Sequence, residues 1–120
     1  MTDSAAAPAP AGAPSPNDCL LTLSLPVALE EEVLDALLAH PELAVGFTLL
    51  QGYGMGTRVH LASAMEQVRG RARRSFVQIA LPRERVPALI DMLQAEMSDA
   101  GITWWVVPLL GFGRLGVQHA

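Results

Sequence analysis

Apolar and polar residues alternate along Leu21-Thr22-Leu23-Ser24-Leu25, which predicts a strand over Cys19–Leu25 with Leu21, Leu23 and Leu25 on one face. Pro26 breaks that strand and suits the first turn of a helix. The helix is expected from Val27 to His40, with Leu29, Val33, Ala36 and Leu37 in one stripe and Glu30, Glu31 and Glu32 near its positive end. Pro41 stops it. A second strand is expected from Val45 to Tyr53. A third runs from Ser75 to Leu81, with Val77, Ile79 and Leu81 inward. Pro82 and Pro87 bracket the start of a second helix, in which Val86, Leu89, Ile90, Leu93 and Met97 recur at helical spacing. Gly101 supplies its stop. Ile102–Val107 reads as a fourth strand, ended by Pro108.

The order β-α-β-β-α-β predicts an α+β fold, the ferredoxin-like βαββαβ sandwich: an antiparallel four-stranded sheet with two helices on one face. Trp104 and Trp105 are neighbours on one strand, so their side chains face opposite sides of the sheet. One packs under the helices. The other joins Leu20, Leu50 and Phe76 on the uncovered face. A single indole buries about 150–250 Å², and a lone chain rarely leaves such a patch wet. An oligomer is therefore expected.

Composition bounds the domain. Residues 1–18 are almost all Ala, Pro, Ser and Gly without apolar periodicity, and read as a disordered tail. Residues 19–115 form the one folded domain, and 116–120 a flexible C-terminus. The start of the chain has neither the basic region nor the apolar core of a secretory signal. No run approaches the roughly 20 apolar residues that span a bilayer. The expectation is a soluble, cytoplasmic protein. The single cysteine, Cys19, excludes an internal disulfide framework, a Cys-x-x-Cys metal motif and a cysteine-ligated iron–sulfur cluster.

The chain is acidic, with a net charge of −4, yet half of its 8 basic residues gather in one place. Gly52, Gly54 and Gly56 alternate at the end of the second strand, and Arg69, Arg71, Arg73 and Arg74 crowd a loop before the third. Lysine is absent, so every cation is a guanidinium, suited to bidentate grip of phosphate or carboxylate. These seven residues are the candidate effector-binding set. The glycines would let main-chain amides approach an anion, and the arginines would supply charge. Contact with an acidic partner, or a solvated loop pairing with Glu66, are the other readings of the arginines. For recognition they should stand in solvent and contribute little to folding.

Other chemistries are weaker. His40, His60 and His119, with Met55, Met65, Met92 and Met97, show no ligand spacing, so no metal site is assigned. His60 beside Met55 and Met65 keeps a metal-binding accessory role as an alternative. RNA binding is a further alternative, since Arg74-Ser75-Phe76-Val77 superficially matches an RNA-recognition motif of the same topology. The first strand has no aromatic residue to stack a base, and the pI near 5.2 repels nucleic acid. No nucleophile–base pair stands out, so an enzyme is not expected.

The run Gly46-Phe47-Thr48-Leu49-Leu50-Gln51-Gly52-Tyr53-Gly54 resembles the second strand of PII signal-transduction proteins, which leads through a Gly-aromatic-Gly turn into the long T-loop. Glu66 to Arg74 and the ending Phe112-Gly113-Arg114-Leu115 resemble a PII-like branch often encoded beside heavy-metal efflux pumps of the resistance–nodulation–division type. This resemblance, over Leu20 to Leu115, implies a trimer with the sheets facing inward and a T-loop-like segment at 54–74. It implies a non-enzymatic signal-transduction role: a nucleotide or other small anion held in clefts between subunits, reported to a partner such as a metal-efflux transporter. Gly52 and Gly54 match glycines lining that cleft. Two features depart from PII proteins. Ser98-Asp99-Ala100-Gly101 replaces a longer glycine-rich loop with a lysine, and Tyr53 is the only tyrosine, outside the loop that PII proteins modify.

Overall fold

The computed structural model describes residues 16–55, 71–97 and 101–116. Strand β1 is Cys19–Pro26, β2 is Thr48–Met55, β3 is Arg71–Leu81 and β4 is Thr103–Pro108, with helix α1 at Glu30–Leu38 and α2 at Val86–Glu96. The sheet order is β2-β3-β1-β4, and every neighbouring pair is antiparallel. The protein is thus an α+β, ferredoxin-like sandwich.

Both helices begin the same way. Pro26 and Pro82 end a strand in extended backbone, a single 3-10 turn follows (Val27–Leu29 or Arg83–Arg85), and the α-helix continues from it. Proline fixes φ near the value such a turn needs and has no N–H to leave unpaired. The first helix is accordingly shorter than its apolar stripe suggests, since Val27–Leu29 are 3-10 and the α-helix closes at Leu38.

Alternation sets the core. Leu21, Leu23 and Leu25 of β1 and Val77, Ile79 and Leu81 of β3 face the helices and are buried. They meet Val33, Ala36 and Leu37 from α1 and Val86, Leu89 and Leu93 from α2. Each fully buried aliphatic side chain contributes about 1.5–3 kcal/mol relative to exposure. The two central strands therefore hold most of the apolar stabilisation.

The chain's first ordered contacts come earlier than the sequence suggests. Asp18, read there as tail, belongs to the fold: its Oδ1 accepts from the Arg83 main-chain N–H at 2.7 Å. Its carbonyl accepts from the Leu109 N–H at 2.9 Å. One residue thereby ties the start of β1 to the turn before α2 and to the chain leaving β4.

The face away from the helices carries Leu20 and Phe76 of the central strands, Leu50 of β2, and Trp105 and Val107 of β4. Leu50, Trp105 and Val107 are all more than 40% exposed. Trp104 lies on the helix side, opposite Leu23, but is not packed under a helix. It stands on an edge strand and forms the outer wall of a cleft of about 210 Å³, whose other walls include Leu23, Ile90, Leu93, Met97 and Ile102.

Among the described residues, no helix is long and apolar enough to cross a membrane.

Candidate functional site

The glycines and arginines of the sequence meet in one ladder. Gly52 pairs with Arg74, which also stands opposite Pro26 of β1, and from there β2 and β3 continue as a two-stranded extension in which Tyr53 pairs with Arg73, Gly54 with Ala72 and Met55 with Arg71. Gly56 and Arg69 lie outside the described residues. Two boundaries change here. β2 runs on through Gly54 to Met55 rather than ending at Tyr53, and Arg71, Arg73 and Arg74 are strand residues rather than loop residues. The segment between the strands is correspondingly shorter than 54–74.

Gly52 has a packing reason to be glycine. A Cβ there would come within 3.1 Å of the Phe76 ring, which lies over the glycine on the open face. Its backbone is ordinary extended strand, since positive φ occurs only at Gly101 and Gly116 among the described residues.

Arg74 faces the same side of the sheet and crosses β1. Its Nε donates to Ser24 Oγ at 3.2 Å, and its Nη2 donates to the carbonyls of Ser24 at 2.8 Å and Gly101 at 3.2 Å. Partial burial pulls its pKa below the usual arginine value, though the group stays a cation at any physiological pH. Gly101 takes a left-handed conformation, φ 69°, immediately before β4. Arg74 thus clasps the start of β4 to β1. It does not stand free in solvent, so the expectation of a solvated, dispensable arginine is corrected at this position. Arg73 is exposed on the helix side of the extension.

Beside it, the helix start is pinned to the sheet. Glu30 Oε1 accepts from Ser75 Oγ at 2.7 Å and from Gln51 Nε2 at 3.1 Å. The Ser75 hydrogen bond, then Gln51, then the nearby Arg73 charge hold the Glu30 pKa below its ordinary value. Ser75 is wholly buried, so without Glu30 its hydroxyl would lose its partner away from water. The site therefore pairs a fixed carboxylate with Arg73 on one face of the ladder, and sets the Arg74 clasp on the other.

His40 occupies a different place, after α1. Its Nδ1 lies 3.3 Å from Glu42 Oε2 and its Nε2 lies 3.0 Å from Glu96 Oε2. Hydrogen bonding to Glu42, then to Glu96, raises its pKa. The two ring nitrogens point apart, which suits an imidazolium between two carboxylates rather than a ligand set. Among the described residues, no group of three or more His, Cys, Asp or Glu could hold a metal ion. His60, Met65 and His119 lie outside the described residues. Cys19 is buried, its Sγ donating to the Leu81 carbonyl at 3.3 Å, and burial foremost raises its pKa. Such a thiol is a core residue rather than a nucleophile.

An arginine-bearing two-stranded extension on a ferredoxin-like sandwich defines the structural class. The model of the family described as Protein of unknown function (DUF3240) matches residues 15–116, and the chain belongs to that family. A DUF3240 family protein from Shewanella baltica OS155 superposes with a TM-score of 0.66 at 21% identity, covering 84% of this chain and 99% of the other. CPII, a nitrogen regulatory PII-like protein from Thiomonas intermedia K12 solved with ADP, AMP and bicarbonate, gives 0.59 at 19% identity, covering 81% and 96%. CutA1 from Pyrococcus horikoshii gives 0.60 at 7% identity, covering 79% and 86%. At these identities the likeness is one of fold. Comparison with curated proteins gives no significant match.

Proposed function

We propose that this chain is a non-enzymatic, PII-like regulator that forms a trimer, binds a small anion between subunits and passes that state to a partner protein. The observation that carries the reading is the β2–β3 extension, which sets Arg71 and Arg73 opposite Met55 and Tyr53 just past the Arg74–Gly52 pair at the end of β1. Guanidinium groups at such a place suit a phosphate or a carboxylate-like anion. The ligands of CPII, ADP, AMP and bicarbonate, are the first to consider. Arg71 and Arg73, with Gly54, Gly56 and Arg69, are the effector contacts in this reading. Gly52 and Arg74 shape the site through Phe76 and the Gly101 turn. A metal-efflux transporter is the proposed partner, on the resemblance of the Glu66–Arg74 and Phe112–Leu115 segments alone.

Thermal-shift and calorimetric titration with ADP, AMP and bicarbonate, singly and together, tests this reading. A ligand at 100 times its Kd adds about 2.7 kcal/mol of stability. Arg73→Ser should weaken that binding at least tenfold while leaving the unliganded melting temperature within a few degrees. No stabilisation by any of the three at millimolar concentration would remove this class of effector.

A further inference from the structure

The cleft of about 210 Å³ beside Trp104 opens between the end of α2 and the edge strand β4. Its floor is Leu23 of β1, the strand partner of Trp104. Ile90 and Leu93 of α2, with Met97 at the helix end, make one wall, and Trp104 makes the other. The helix stops short of covering the indole. Met97 leaves helical backbone at φ −138° and ψ 43°. Trp104 is accordingly 48% exposed, although Leu23 on the same face is buried.

Main-chain bonds fix both walls. The Met97 N–H donates to the Leu93 carbonyl at 2.7 Å. Gly101, which also lines the cleft, has its carbonyl held by Arg74 Nη2 at 3.2 Å. A preformed apolar cleft with an aromatic wall is the usual setting for a small ligand. A dry cavity of about 150 Å³ lined by such side chains already takes benzene. The volume here, about 210 Å³, admits a molecule of one or two fused rings.

The lining narrows the chemistry. Among the described residues no charged side chain lines the cleft, so a phosphate or carboxylate would lose its water there without gaining a counter-charge. Gln94 supplies a polar side chain at the rim, and its amide both donates and accepts. A flat ring packs on the Trp104 indole in offset or edge-to-face contact, while the flexible Met97 fits its outline.

We propose that this cleft is a second ligand site, taking a small, uncharged aromatic molecule of indole size, seated on Trp104 with its polar edge toward Gln94. Position separates it from the anion site as much as charge does. Arg74 and the Phe76 ring over Gly52 stand on the open face of the sheet, whereas Trp104 shares the helix face with Leu23. The inference goes beyond the effector reading and needs neither that effector nor the trimer.

Nuclear magnetic resonance of the full-length chain reads the site directly, because its two indole N–H signals, from Trp104 and Trp105, report opposite faces. Titration with indole should move the Trp104 signal to saturation, with a Kd at or below about 1 mM, and leave Trp105 in place. Indole-3-acetate, the same ring with a carboxylate, should bind at least about tenfold more weakly. Ile90→Trp fills the cleft from α2 and should abolish the Trp104 response in a folded chain. Gln94→Arg, at an exposed helix position, should shift the preference toward indole-3-acetate and does not depend on the core variant folding. Equal movement of Trp105, equal binding of the two probes, or no saturation at millimolar indole would overturn the proposal. So would a folded Ile90→Trp chain with an unchanged response, or a Gln94→Arg chain with an unchanged preference. Displacement of indole by AMP would merge the cleft with the anion site and overturn it as a second one. Failure of nucleotide binding alongside saturable indole binding would remove the effector reading alone.

Discussion

Arg74 Nη2 donates to the Ser24 carbonyl at 2.8 Å, and the same nitrogen reaches the Gly101 carbonyl at 3.2 Å. A residue beside the glycine-rich strand thus holds the turn that opens β4. Arg74→Ala removes both bonds and the one to Ser24 Oγ. The expected loss is about 2 kcal/mol, within the range for charged hydrogen bonds, which lowers the melting temperature by roughly 10 °C in a domain of this size. Arg73→Ser, on the other face, should change it far less. Denaturation of the two variants side by side checks the contrast; equal, small effects would show the clasp to be idle.

Ser75 and Glu30 give a second test, in which pH sets the sign. The Glu30 pKa is depressed in the folded state, so its contribution is fully present above the unfolded carboxylate value and is lost as pH falls through the folded one. Ser75→Ala should therefore destabilise the protein at pH 7, and the gap to wild type should narrow by pH 3. Urea melts at both values measure it. A gap that widens in acid would contradict the assignment.

For His40 the sign is opposite. Its pKa is raised above 6.5, so the stabilisation is whole below that value and disappears as pH rises through the folded pKa. An NMR titration of the imidazole should give a midpoint above 6.5 in the wild type, and Glu96→Gln should lower it. A midpoint unmoved by that substitution would mean the 3.0 Å contact to Glu96 does not form in solution.

Trp105 tests the open face. In the proposed trimer this indole is covered, so Trp105→Glu should give a folded protein of about 12.8 kDa by light scattering, against three times that mass for the wild type. A wild type already at 12.8 kDa would end the trimer reading.

The helix-facing side of the sheet was legible in the sequence because burial imposes periodicity. Leu21, Leu23 and Leu25 of β1 and Val77, Ile79 and Leu81 of β3 are apolar at every second position for that reason. The beginning of β3 was not legible. Arg71 to Arg74 run beyond the helices, so no apolar alternation marks them as strand. The bond partners of Arg74 were hidden for a different reason: Ser24 and Gly101 lie 50 and 27 residues away, and only the register brings them together. The same holds for Asp18, whose composition matches the tail but whose partners are Arg83 and Leu109. The glycine–arginine coincidence itself was visible, since both groups flank one hairpin.

The position of β1 between β3 and β4 has a kinetic consequence. β1 is made before both of its partners and can form no ladder until β3 follows, and Cys19 and the Leu81 carbonyl it bonds stand 62 residues apart. Closing so long a loop precedes any reward from pairing. During synthesis the leucine-rich strand Leu20–Leu25 therefore waits unpaired beside α1 and β2, a state open to chaperone capture and misassociation. Substitutions at the β1–β3 seam should slow folding, while those on the outer edge of β2 should act mainly after the subunit is complete.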